Sequence, residues 1–65
     1  MNYFEVNFKL NPFVPYAEIL VAMLAEIGFE SFVEAEDESH LMAYIQESDF
    51  DELALIQLLD VFNSD

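Results

Sequence analysis

Hydrophobic and polar residues alternate strictly at the start of the chain. Large apolar residues occupy the even positions from Phe4 to Leu10, and the more polar residues occupy the odd positions from Tyr3 to Lys9. A period of two in residues of these types predicts a half-buried β-strand.

The period changes to that of a helix between Tyr16 and Ile27. Pro15 precedes this segment, and the first turn of a helix tolerates proline because its missing N–H needs no partner there. Gly28, the single glycine of the chain, follows it at a position typical of a helix C-cap. The apolar positions recur three and four residues apart, at Tyr16, Leu20, Met23, Leu24 and Ile27.

Two further alternating segments, Phe29 to Glu36 and His40 to Gln46, predict a β-hairpin. The polar residues 36–39 form its turn. In the first of these strands, one face carries Phe29, Ser31, Val33 and Ala35, and the other carries Glu30, Phe32, Glu34 and Glu36.

A second helix is predicted at the end of the chain. Its N-cap is Ser48 or Asp49, with Asp51 or Glu52 as the capping-box partner. The negative charge of Glu47 and its neighbours up to Glu52 suits a helix N-terminus, so we assign these acids a structural role. The apolar stripe consists of Leu55, Leu58, Leu59 and Phe62.

The element order β-α-β-β-α predicts one α+β domain covering residues 1–65. It is the ferredoxin-like split pattern without its last strand: a three-stranded antiparallel sheet with two helices on one face. The missing strand would pair beside the first strand, whose edge is then open. Either the chain is cut from a longer protein or a partner supplies the strand. We favour the first because native proteins normally protect open edges.

The composition indicates a folded domain. Of the 65 residues, 55% are hydrophobic, which is too many for a disordered acidic tail, and the absence of cysteine excludes disulfides. The N-terminus lacks the features of a signal peptide. The longest apolar run, Ile19 to Ala25, is far shorter than the roughly 20 residues that span a bilayer. We expect a cytoplasmic location and no membrane partner.

The charge of the chain is strongly one-sided. Fourteen acidic residues face the single base Lys9, which gives a net charge of −13. Such a charge repels phosphate backbones and anionic membranes, so we expect no direct nucleic-acid partner. It favours a basic protein partner, because complementary fields steer association.

The sequence offers little for catalysis or cofactor binding. One glycine cannot form a Gly-rich nucleotide loop. The acid-rich segment 34–40 lacks the glycine and alternating aspartates of a calcium-binding EF-hand loop. An enzyme would need His40 to act with neighbouring carboxylates, in a pocket that this chain is hardly large enough to build. We therefore predict no catalytic, cofactor-binding or metal-binding residue.

The outward face of the sheet is the candidate binding surface. We expect Phe4, Val6, Phe8, Phe29, Val33, Leu41, Ala43 and Ile45 to pack under the helices. Aromatic anchors among carboxylates suit a basic protein surface. The alternative is that another domain or a second copy covers this face. The candidate protein-binding residues are Tyr3, Glu5, Phe32, Glu34, Glu36, Asp37, Glu38, Met42 and Tyr44.

Several stretches of the chain resemble a known family. Residues Tyr3–Val6, Glu18–Leu20, Leu24–Phe32 and Glu34 are similar to the N-terminal domain of the bacterial ribosomal-protein-L-eleven methyltransferases, the PrmA family, and most of all to its Bacteroidetes-type branch. In that family a small N-terminal domain binds the ribosomal protein substrate. A separate catalytic domain uses S-adenosylmethionine to methylate lysines and the N-terminal amine.

The resemblance implies a substrate-recognition domain that binds a basic ribosomal protein. It implies that this chain is not itself an enzyme and that S-adenosylmethionine belongs to the catalytic part of the parent. The alternative hypothesis is a free-standing acidic interaction or regulatory module that self-associates, as a homodimer, through the open edge of strand one.

Overall fold

The computed structural model describes residues 2–11, 14–37 and 39–63. The elements follow the predicted order: β1 (Tyr3–Lys9), α1 (Tyr16–Glu26), β2 (Ser31–Glu34), β3 (His40–Gln46) and α2 (Glu52–Phe62), with a short 3-10 turn at Glu47–Asp49 before α2. The first-strand, first-helix and third-strand predictions match these bounds closely. The second strand is shorter than predicted.

The three strands form one antiparallel sheet in the order β1-β3-β2. This confirms the predicted α+β architecture. Along β1, Phe4 lies opposite Ile45 and Phe8 lies opposite Leu41. Because β3 is central, β1 is an edge strand, and its other side pairs with no strand among the described residues.

Both helices pack on the same face of the sheet. Leu20 and Leu24 of α1 are fully buried, and Leu58 of α2 joins them in a single hydrophobic cluster with the alternate residues of β3. Burying large aliphatic side chains contributes about 1.5–3 kcal/mol each, which a domain of this size needs. The sheet side of the cluster consists of Phe8, Phe29, Leu41, Ala43 and Ile45.

The predicted orientation of β2 is wrong. Phe32 lies opposite Ala43 and Glu34 lies opposite Leu41, so both point to the helix side, whereas Val33 points away and is 47% exposed. The cause is a one-residue slip in strand pairing just before β2, where residues 30 and 31 both pair with Tyr44. The N–H of Glu30 bonds to the carbonyl of Tyr44, and Tyr44 is also the register partner of residue 31. Phe29 is buried as predicted. After Phe29, the slip exchanges the two faces of the strand, so that the even-numbered residues of β2 point to the helices and the odd-numbered ones point away.

The first helix ends as its glycine predicts. Gly28 has a φ of +106°, which side-chain-bearing residues rarely adopt. Its N–H donates to the carbonyl of Ala25, and the N–H of Phe29 donates to the carbonyl of Leu24. These two bonds form a Schellman motif, and both Phe29 and Leu24 are buried in the hydrophobic cluster.

The second helix begins later than predicted. Asp51 is its N-cap, and its side chain accepts a hydrogen bond from the N–H of Ala54 at 3.2 Å. The expected caps, Ser48 and Asp49, lie in the preceding 3-10 turn, which uses up the residues that would have formed the first helical turn. Within the described ranges, neither helix is both long and apolar enough to cross a bilayer.

Candidate protein-binding face

The sheet face opposite the helices is exposed, and we call it the open face. The register places two residues of β2 and alternate residues of β1 and β3 on it. These residues are Tyr3, Glu5, Asn7, Lys9, Ser31, Val33, His40, Met42, Tyr44 and Gln46.

Tyr44 and Glu5 are direct cross-strand partners on the open face. The Tyr44 hydroxyl donates a hydrogen bond to Glu5 Oε1 at 2.9 Å. This bond to a carboxylate raises the pKa of Tyr44 above its usual value, so the phenol remains a donor at neutral pH. The pair therefore holds one carboxylate in a fixed orientation on an exposed surface.

Glu30 is a second oriented carboxylate at the same end of the face. Its Oε1 accepts a hydrogen bond from the Tyr3 hydroxyl at 3.3 Å, and its Oε2 accepts one from Gln46 Nε2 at 2.9 Å. Partial burial of the hydroxyl and the adjacent Glu30 charge raise the pKa of Tyr3, and Asp49 adds to the effect.

Glu30 and Gln46 were missing from the predicted binding residues. The alternation of residues 29–36 places Glu30 on the same side as Phe32, which the structure turns toward the helices. Only the slip before β2 lets the Glu30 side chain reach Tyr3 and Gln46. The sequence carries no signal for this slip beyond the nearby Gly28.

The other end of the open face carries the positive charge of Lys9. Lys9 and His40 are cross-strand partners there. Ser39 Oγ donates to Asp37 Oδ1 at 2.7 Å and lies 2.7 Å from His40 Nδ1. These contacts close the β2–β3 turn on itself, and the two hydrogen bonds from Ser39 lower the pKa of Asp37.

The structure brings only part of the predicted binding set together. Tyr3, Glu5, Met42 and Tyr44 share the open face, with Glu30 and Gln46 beside them. Phe32 is half-buried against the core, and Glu34 is exposed on the helix side. Glu36 and Asp37 are exposed in the β2–β3 turn, and Glu38 lies outside the described residues.

The described residues offer no arrangement for a metal or a nucleotide cofactor. No group of three or more His, Asp or Glu side chains in the described ranges is placed to hold a metal ion. Gly28 lies at the end of a helix, whereas Gly-rich cofactor loops connect a strand to a helix.

The fold and face define a small acidic α+β domain whose exposed sheet surface carries tyrosines and oriented carboxylates. Over 63 residues the chain is 46% identical to the ribosomal protein L11 methyltransferase of Phocaeicola vulgatus, a match that covers 95% of the chain and 22% of that protein. Enzymes of the same name from Bacteroides fragilis strain YCH46 and Bacteroides thetaiotaomicron are 46% identical over 56 residues and 47% identical over 53 residues.

These matches confirm the predicted resemblance to the ribosomal protein L11 methyltransferases. The Bacteroides matches cover 85% and 80% of the chain and 19% and 18% of the two relatives. The chain thus spans about a fifth of the length of the curated relatives that it matches. No protein-family model and no solved structure matches it.

Proposed function

We propose that this chain is the N-terminal substrate-recognition domain of a ribosomal protein methyltransferase. Its partner is a basic ribosomal protein of the large subunit. A separate catalytic domain of the parent, which binds S-adenosylmethionine, methylates lysines and the N-terminal amine of that substrate. The names of the relatives support the parent enzyme class, and the open face supports the binding role.

The main support for the proposal is the arrangement of carboxylates at one end of the open face. Glu5 and Glu30 lie there, each oriented by a tyrosine hydroxyl, and the field of Asp49 reaches Tyr3. Fixed carboxylates beside aromatic rings suit lysine and arginine side chains. Complementary charge of this kind sets the orientation and rate of association more than the final affinity.

Glu5 has capacity left for a partner. Its Oε1 is occupied by Tyr44, whereas its Oε2 accepts no hydrogen bond from the described residues. A cationic side chain can bind Oε2 without displacing the tyrosine. The bound tyrosine also limits the rotamers of Glu5, which lowers the entropy cost of ordering it in a complex.

The charge of the chain supports two further parts of the proposal. A net charge of −13 opposes direct contact with ribosomal RNA, which supports a protein substrate as the direct partner. Ribosomal protein substrates of this kind are made in the cytoplasm, and we place the domain there.

The test is a titration of the domain with purified ribosomal protein L11 at low and high salt. The face variant Glu5→Gln with Glu30→Gln should weaken binding by about tenfold at low salt and less at high salt. The matched control is Glu18→Gln with Glu26→Gln, which removes the same charge from exposed positions of α1. Equal losses in the two variants, or binding that ignores salt, would contradict recognition by the open face.

A second candidate is the self-associating acidic module. The free side of β1 favours it, because an unpaired strand edge can pair with a second copy. Sedimentation over a wide concentration range distinguishes the two functions. A concentration-dependent dimer that ignores the Glu5 and Glu30 substitutions would favour self-association.

A further inference from the structure

A cleft of about 450 Å³ opens at the end of the sheet opposite Glu30. Its volume lies within the range of about 300–1,000 Å³ that is usual for sites that hold small molecules. Three parts of the chain meet there: the end of β1, the start of α1 and the end of α2. The lining residues are Lys9, Leu10, Asn11, Tyr16, Phe62 and Asn63.

Two contacts hold the walls of the cleft in place. The Tyr16 and Phe62 rings meet edge to face, with centroids 5.9 Å apart and planes at 77°, and this contact joins the first turn of α1 to the last turn of α2. The N–H of Leu10 donates to the carbonyl of Ser39 at 3.0 Å, which holds the backbone next to Lys9 against the start of β3. The cleft is therefore formed by the fold itself, as small-molecule sites usually are.

The polar groups of the cleft suit a negatively charged ligand. Lys9 is the only lysine or arginine of the chain, and its ammonium group makes no hydrogen bond or ion pair with the described residues. The side-chain amides of Asn11 and Asn63 are also unpaired within the described ranges, and each can donate N–H groups. Among the residues that the structure describes, those that line the cleft include no acid. A carboxylate group therefore meets donors there and no adjacent negative charge.

The charge of the whole chain limits the ligand to a monoanion. A net charge of −13 repels polyanions such as nucleotides, and a single lysine cannot neutralise them. At about 0.15 M salt the field of an exposed charge is screened over about 8 Å, so within the cleft Lys9 outweighs carboxylates that lie farther away. A free amino acid is a poor match, because its ammonium group would meet no carboxylate among these lining residues.

The aromatic walls favour a ligand with a flat ring. Tyr16 is 42% exposed beside Phe62, and aromatic rings bind one another in offset-stacked or edge-to-face arrangements. We propose that the cleft binds a small aromatic monocarboxylate, with its carboxylate at Lys9 and the asparagine amides and its ring against Tyr16 and Phe62. This inference goes beyond substrate recognition, because the ligand is a small anion and the carboxylates of Glu5 and Glu30 do not line the cleft.

The experiment is an NMR titration of the 65-residue chain with benzoate at about 0.15 M salt. The amide signals of residues 9–11, 16 and 62–63 should shift together and saturate in the millimolar range, which is the affinity expected for so small a ligand. Benzamide has the same ring without the charge, so it should bind at least about tenfold more weakly. Equal binding of benzoate and benzamide, or shifts that do not centre on these residues, would overturn the proposal.

Two variants of equal net charge locate the carboxylate of the ligand. Lys9→Met removes the ammonium group but keeps an unbranched side chain, so benzoate binding should weaken at least about tenfold. Ser48→Asp makes the chain more negative by the same amount, at the exposed turn that pairs with the other end of β1, and should change benzoate binding by less than about twofold. Equal losses in the two variants would indicate an effect of overall charge and refute the site.

Adenosine monophosphate tests the class of ligand. It carries an aromatic base but a phosphate of higher charge, so it should shift the same signals less than benzoate does at equal concentration. Tighter binding of this nucleotide than of benzoate at residues 9–11 and 62–63 would refute the assignment to a monocarboxylate.

Discussion

The Tyr44 hydroxyl donates a hydrogen bond to Glu5 Oε1 at 2.9 Å, from β3 to the directly opposite residue of β1. The bond raises the pKa of Tyr44 above its ordinary value of 10.0. We predict that Glu5→Gln lowers the pKa of Tyr44 toward that value, because the acceptor charge is lost. Ultraviolet titration of the phenolate in a Tyr3→Phe, Tyr16→Phe background isolates the Tyr44 signal.

The hydrogen bond between Tyr44 and Glu5 also makes the stability of the domain depend on pH. A raised pKa in the folded state means that the hydrogen bond contributes fully below pH 10 and is lost as the pH rises through the folded value. Wild type and Tyr44→Phe should therefore converge in stability in alkaline solution. A difference that is constant up to and beyond the titration of Tyr44 would contradict this coupling.

The orientation of β2 predicts an asymmetry between neighbouring residues. Phe32 packs against the core, so Phe32→Ala should lower the free energy of unfolding by about 1–3 kcal/mol. Val33 lies on the open face at 47% exposure, and Val33→Ala should cost less than about 1 kcal/mol. Urea denaturation measures the loss of unfolding free energy in each variant. A larger loss for Val33→Ala than for Phe32→Ala would contradict this orientation of β2 and support the one expected from the sequence.

The start of α2 predicts which acid caps it. Asp51→Ala should destabilise the domain by about 1 kcal/mol, because the N–H of Ala54 loses its acceptor. Asp49→Ala removes the same charge two residues earlier, outside the helix, and should cost much less. Thermal unfolding of both variants at matched salt compares them, and equal losses would indicate a charge effect rather than a cap.

The end of α1 predicts a penalty for any side chain at Gly28. Gly28→Ala forces a β-carbon onto a backbone with a φ of +106°, and that carbon would lie 3.4 Å from Ile45 Cδ1. We expect a loss of about 1 kcal/mol or more, mainly from the backbone strain. Ala22→Gly, at an exposed position in the middle of α1, is a control that changes the same two residue types in the helix interior. Its cost should come from helix propensity alone.

The β2–β3 turn predicts a pH effect in acid. Hydrogen bonds from the Ser39 hydroxyl and N–H lower the pKa of Asp37 below its ordinary value of 3.8. Ser39→Ala should raise it, which NMR titration of the Asp37 carboxylate measures. Because the folded pKa is depressed, the bond stabilises the turn above pH 3.8 and is lost as the pH falls through the folded value. An unchanged Asp37 titration in the variant would rule out the Ser39 hydroxyl as the main cause of the lowered pKa.

Much of the fold follows from local pattern in the sequence. The alternation from Tyr3 to Lys9 and from His40 to Gln46 predicted two strands that the structure confirms. Gly28 predicted the end of α1, because a Schellman motif needs a residue tolerant of positive φ. These features depend on neighbours within a few residues, which is why one sequence suffices to find them.

The candidate face depends on more than local pattern. Alternation predicts which residues of β2 share a face. Which of these faces points to the helices depends on the slip in pairing at Glu30 and Tyr44. That slip turned Phe32 toward the core and brought the Glu30 carboxylate to Tyr3. The predicted binding role of the surface stays a prediction, now with a revised set of residues.

The sequence by itself determined the element order, the end of the first helix and the acidic character of any partner surface, because each depends on residue type and short-range spacing. The tertiary structure alone decided which carboxylates stand together and which main-chain groups of β1 are free. Both follow from the register of strands that are far apart in the chain, since antiparallel pairing fixes the neighbours of Glu5 and the outward N–H of Asn7 at the same time.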